Sequence, residues 1–147
     1  MPVTFTDNGK RFSTVFKRND TENQTLFFDK VVVRETVDTV YQLGQVLGTV
    51  TATGKAKVAK KAAADGSEVA SGIFAGDALG QPAVGTITIP ANTDVTVLVL
   101  VRGKYEVNEQ GLVYDASYAT AADKTAAMAA LAAKGVIRVS EVGNAVI

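Results

Sequence analysis

The densest apolar stretch of the chain is Val95–Val107, V-T-V-L-V-L-V-R-G-K-Y-E-V, in which the first seven positions are apolar apart from Thr96. A short β-branched run of this kind predicts a strand buried on both faces. It falls well short of the roughly 20 apolar residues that a membrane-spanning helix needs. At Arg102-Gly103-Lys104 the pattern breaks, and Tyr105-Glu106-Val107 then alternates. The expectation is one long strand bent at Gly103, with its first half in the core and its second half reaching a surface. Arg102 and Lys104 would turn to solvent at the bend.

Weaker patterns flank this stretch. Leu26-Phe27-Phe28, Val31-Val32-Val33, Val37, Val40 and Tyr41 alternate loosely, as a half-buried strand does. Gly44 and Gly48 bracket Gln45-Val46-Leu47, and a Thr/Val strand follows to Thr53. Asp65-Gly66, Ala91-Asn92-Thr93-Asp94 and Asn108-Glu109-Gln110-Gly111 read as turns, and Thr86–Ile89 as a short strand. Gly76–Gly85 reads as a loop. One helix is predicted: Thr120 caps it with Asp123 three residues on, alanines carry it to Ala133, and Gly135 stops it. Met128, Leu131 and Ala132 would share its core face, and Val136-Ile137-Arg138-Val139 would form a last strand. The fold class is therefore mainly β with one Ala-rich helix near the C-terminus (mixed α+β), a small-sheet or barrel-like domain over residues 26–147.

Residues 1–25 differ in character: Phe5, Phe12, Val15 and Phe16 are set among Thr, Asn, Lys and Arg. Val3-Thr4-Phe5-Thr6 alternates like a strand and Asp7-Asn8-Gly9 turns. The segment is too polar to order itself. It is either a terminus that frays or an extended arm that orders on a partner.

Composition narrows the chemistry. Fifteen basic residues balance fifteen acidic ones, against the basic excess of a general polyanion binder. There is no His and no Cys, which removes imidazole and thiolate catalysis and cysteine-ligated metals. No basic stretch precedes an apolar run at the N-terminus, so no signal peptide is expected. The lysines between Lys55 and Lys61 read as a guarded strand edge or, second, as a patch for an anionic partner. Gly48–Lys55 has one residue too many for a phosphate-binding loop, and Ala56 stands where a metal-binding hydroxyl belongs. Asp77, Asp94, Glu106, Glu109 and Asp115 are the carboxylates considered for acid–base work; none has a signature spacing.

Three features together resemble the bacteriophage lambda-type head decoration proteins. They are Gly44-Gln45-Val46-Leu47-Gly48 before a threonine-rich strand, Asp65-Gly66-Ser67-Glu68-Val69-Ala70-Ser71-Gly72-Ile73 followed by the strand from Val97 to Glu109, and the Ala-rich helix and strand from Thr120 to Val139. The resemblance implies a non-enzymatic homotrimer, without cofactor, at threefold positions on the outside of an expanded capsid. It would clamp the major capsid protein against the pressure of packaged DNA, without touching nucleic acid or membrane, after assembly in the bacterial cytoplasm. Residues 1–25 would be the capsid-binding arm, ordered by strand addition, with Val3, Phe5, Phe12, Val15 and Phe16 as its contacts. Two other readings stay open: another virion module, from a tail or fibre base, and a carbohydrate-binding β-module, which would need exposed aromatic platforms.

Overall fold

A computed structural model of the chain describes residues 4–6, 15–19, 27–77, 86–103 and 105–139. Among the described residues the elements are mostly strands, with a short 3-10 helix at Glu109–Gly111 and a twelve-residue α-helix, α1 (Ala121–Ala132). At the centre lie β3 (Phe28–Val33), β5 (Val46–Thr49), β6 (Ala56–Val58), β7 (Ala70–Asp77) and β9 (Val95–Leu100). They pair in the order β3-β6-β5-β7-β9 and close on themselves as a small barrel. The strongest seam is β3 against β9, antiparallel over six residue pairs from Phe28↔Leu100 to Val33↔Val95. The thinnest is β3 against β6, a single parallel pair, Val33↔Ala56, supported by the Arg34 N–H donating to the Ala56 carbonyl at 3.0 Å. Val33, Val46, Leu47, Ile73, Phe74, Val97, Val99 and Leu100 of these strands are buried in the hydrophobic core, and consecutive ones among them face opposite sides of the sheet.

Two three-stranded sheets flank the barrel. One has the order β1-β8-β4, from β1 (Thr4–Thr6), β8 (Thr86–Ile89) and β4 (Thr39–Gln42). Its buried residues Tyr41, Ile87 and Ile89 belong to the common core, where the Tyr41 and Phe74 rings meet edge to face at 5.7 Å. The other has the order β11-β10-β2, from β11 (Ile137–Val139), β10 (Tyr105–Asn108) and β2 (Phe16–Asn19).

The single bent strand predicted for Val95–Val107 is instead two strands in two sheets, β9 in the barrel and β10 outside it. The break falls at Gly103, as expected, and has a steric cause. Its φ of +91° is one that L side chains rarely adopt, and an added Cβ would collide with the Phe27 ring. The second half does not run out to a surface, since Tyr105, Val107 and Asn108 are all buried. Nor is β9 buried on both faces, because Thr96 is exposed and Val95 and Leu98 are half-exposed. Among the described residues, β7 is covered on both faces, with Ala70 and Gly72–Gly76 all buried, as is the shorter β5 over Val46–Gly48. The small residues of β7 let α1 pack closely on it. Lys104 lies outside the described residues; Arg102 is exposed and ion-paired with Asp29.

The helix starts where the sequence places it. The Asp123 N–H donates to Thr120 Oγ1 at 3.2 Å and the Thr120 N–H donates to Asp123 Oδ2 at 3.3 Å, a full capping box. Its buried residues are Ala127, Met128 and Leu131. Ala132, expected on that face, is exposed, because a further 100° of rotation carries it past the contact.

Candidate functional site

The five predicted arm residues meet different fates. Val15 and Phe16 are core residues, 0% and 2% exposed. Phe5 lies in β1 and pairs across to Ile87. Val3 and Phe12 lie outside the described residues. The segment therefore joins the domain at two places: β1 antiparallel to β8, and β2 antiparallel to β10 with a register shift between Glu106 and Val107. Phe16 holds the second place. Its ring meets Phe28 at 5.7 Å and Tyr105 at 5.9 Å, both edge to face, and Tyr105 in turn meets Phe27 and Phe28. Such pairs add about 0.5–1.5 kcal/mol each beyond area burial.

The loop that receives Val15 explains the first of the three sequence features. Gly44 has a φ of +92°, and a Cβ there would lie 2.5 Å from the Gly111 carbonyl oxygen and 3.1 Å from Val15 Cγ2. A side chain at Gly48 would collide with the Ser67 backbone. Between these glycines the backbone is tied to two neighbours: Gly44 N–H donates to Phe74 O, Phe74 N–H to Gln45 O, and Val46 N–H to Val113 O. The Asp-Gly-Ser turn has a similar role. Asp65 Oδ1 accepts from the Ser67 N–H and hydroxyl, and Oδ2 accepts from Lys57 Nζ at 2.8 Å.

The lysine-rich segment is neither an edge nor an open cationic patch. β6 lies between β5 and β3. Lys55 shares Asp94 with Arg34, Lys57 pairs with Asp65, and Lys61 pairs with Asp123. These partners hold the acids below the ordinary carboxylate range: hydrogen bonds from Lys55 and then Arg34 act on Asp94, from Lys57 and then Ser67 on Asp65, and chiefly from Lys61 on Asp123. Carboxylates held ionised in this way are poorly matched to proton donation near neutral pH.

One buried acid was not among the residues expected at a site. Glu35 is 5% exposed, and its Oε1 accepts from the Tyr41 hydroxyl at 2.6 Å and from the Val58 N–H at 2.8 Å. It ties the end of β3 to β4 and β6. Burial first, then the charge and hydrogen bond of Glu35, push the Tyr41 phenol far above its ordinary value. Only its place after Val33 in strand phase could have signalled an inward carboxylate.

The depressions beside α1 are open and shallow. The first, about 420 Å³, is lined by residues that include Glu109, Tyr114, Lys124 and Met128, with Lys124 Nζ lying 5.7 Å from the Tyr114 ring centroid. Among the described residues no group of three or more acids forms a metal-binding cluster, and no helix is long and apolar enough to cross a membrane. Of the four tyrosines, Tyr41, Tyr105 and Tyr118 are buried. Tyr114, the fourth, is half-buried and lines the first depression.

Residues 7–136 match the family model described as bacteriophage lambda head decoration protein D. No curated protein and no solved structure matches the chain.

Proposed function

The chain belongs to the bacteriophage lambda head decoration protein D family, and from that premise we propose that it binds the outer surface of the expanded capsid as a homotrimer at threefold positions. There it clamps neighbouring copies of the major capsid protein against the pressure of packaged DNA. It does so as a structural protein, without catalysis, cofactor, nucleic-acid contact or membrane, and it assembles in the bacterial cytoplasm. The family match over residues 7–136 carries this reading.

Residues 1–25 serve as the capsid-binding arm, with Val3, Phe5 and Phe12 on its reaching part and Val15 and Phe16 as its root. The support is the position of β1 and β2, each at an outer edge of a three-stranded sheet, together with the burial of Val15 and Phe16. Burying one Phe is worth roughly 1.5–3 kcal/mol, whereas ordering each backbone residue costs about 1–2 kcal/mol. One short arm therefore binds weakly, and three arms on one trimer supply the effective concentration that makes binding firm.

The test is deletion of residues 2–13, which spares the buried root. Occupancy of undecorated capsids from the same phage should fall steeply while the protein stays folded and sediments as a trimer. A truncated protein that decorates as well as the full chain would move the docking surface to the domain.

A further inference from the structure

We infer that Glu35 is a latch that joins two motions of the domain. The barrel opens at the seam between β3 and β6, and the β1-β8-β4 sheet loosens in the same event, because one carboxylate oxygen holds both. The latch operates within the domain, whatever the chain binds.

The seam has little backbone pairing of its own. Its ladder is the single pair Val33↔Ala56, with the Arg34 N–H donating to the Ala56 carbonyl, against three residue pairs between β5 and β6 and six between β3 and β9. Past Val33 the chain turns away from β6. Glu35 pairs with Ala91 in an isolated bridge, and its carbonyl accepts from the Asn92 N–H at 2.7 Å. Had β3 run on beside β6, a main-chain carbonyl would meet the Val58 N–H. Glu35 Oε1 takes that place at 2.8 Å. A side chain thus continues the ladder where the strand has left it. The other fastening here, Arg34 and Lys55 on Asp94, is partly exposed and adds little.

The same oxygen accepts from the Tyr41 hydroxyl at 2.6 Å. Tyr41 is fully buried on β4, edge to face with Phe74, and β4 pairs with β8 over four residues. Two buried donors on separate elements therefore share one acceptor. Parting β6 from the end of β3 strips one donor from this oxygen and lets water reach the other. The Tyr41 hydroxyl then loses the dry surroundings that strengthen its bond, and β4 loses its polar tie to the barrel.

Native-state hydrogen exchange, followed amide by amide, tests the coupling. In the wild type, the seam amides of Arg34 and Val58 and the hydrogen-bonded amides of β4 and β8 should share one opening free energy, below that of β7 and β9. Tyr41→Phe touches β4 alone, yet it should speed exchange at Arg34 and Val58 about tenfold, together with β4 and β8. Glu35→Gln keeps an acceptor oxygen and gives up its charge, and hydrogen bonds to charged groups are about twice as strong as neutral ones. It should speed the same amides by a similar factor, while β7 and β9 follow only the change in global stability. Asp94→Asn, which cuts the exposed pairs across the same seam, should move these amides less than about threefold.

A Val58 amide that exchanges only through global unfolding in the wild type would overturn the inference, since the seam would then not open by itself. So would a Tyr41→Phe protein in which β4 and β8 exchange faster while Arg34 and Val58 stay as in the wild type, because the two elements would then move separately. A larger effect of Asp94→Asn than of Glu35→Gln at the seam would place the fastening on the outside and remove Glu35 from the role. The wild type and Tyr41→Phe decide the matter even where Glu35→Gln does not fold.

Discussion

In the barrel every strand has two neighbours, and the longest ladder, β3 with β9, runs for six residue pairs. In the N-terminal segment β1 and β2 have one neighbour each among the described residues and span three and four residues. Both regions satisfy backbone hydrogen bonds, but only the barrel does so cooperatively. A barrel strand cannot leave without opening two seams. An arm strand leaves by opening one, so its stability is a local quantity, separable from that of the domain. Phe16 complicates the division, since it belongs to the arm by sequence and to the core by packing.

The comparison breaks or sharpens under five measurements. Phe74→Ala removes a fully buried barrel ring and should cost about 3–5 kcal/mol in denaturant unfolding; a loss near 1 kcal/mol would deny the barrel its central place. Phe16→Ala removes the same side chain from the arm's root, 2% exposed. Its cost should be about 3 kcal/mol or less, below the upper part of that range, because detachment of β2 caps it. Native-state hydrogen exchange should show β2 amides opening locally and β9 amides only with global unfolding; equal protection would erase the distinction.

Tyr41→Phe leaves buried Glu35 with one donor fewer and should cost about 1.5–3 kcal/mol. The folded phenol titrates above the unfolded one, so its contribution is intact below the ordinary tyrosine value of about 10 and is lost as pH rises beyond it. The wild type should accordingly lose melting temperature above that pH more steeply than Tyr41→Phe. The smallest effect belongs to the surface pairs. Asp94 titrates below its unfolded value because of Lys55 and Arg34, so its stabilisation is present above about pH 4 and fades as pH falls through and below that value. Asp94→Asn should lower the melting temperature slightly at neutral pH and flatten the acid side of the curve, so that the two proteins converge below about pH 4; an unaltered acid slope would mean the pair is idle.

Much of this was legible in the sequence, unevenly. The β class, the capped helix and the breaks at Gly44 and Gly103 followed from local rules, because caps, turns and left-handed glycines act within a few residues. The topology was less accessible. That Val95–Leu100 and Tyr105–Asn108 belong to different sheets depends on a bend fixed by Phe27, about 75 residues away in sequence. The lysines between Lys55 and Lys61 looked like an edge because their partners Asp94 and Asp123 are remote in the chain. Among the candidate site residues, Val15 and Phe16 carried the right apolar pattern without revealing that the pattern faces this chain's own core. Glu35 was missed because a single carboxylate in strand phase looks the same whether it faces water or a tyrosine.

The pairing of β2 with β10 has a further consequence, for the order in which the protein is made. Phe16 leaves the ribosome before its partner Val107 exists, and roughly 90 residues must follow at about 5–20 residues per second. For several seconds each new chain therefore trails a segment whose place on the domain has not yet been built. β1, which waits for β8, is in the same position. On a polysome, neighbouring nascent chains carry the same unfilled edges and the same unplaced strands. Completion of β8 and β10 therefore sets the earliest moment at which the segment can take its place.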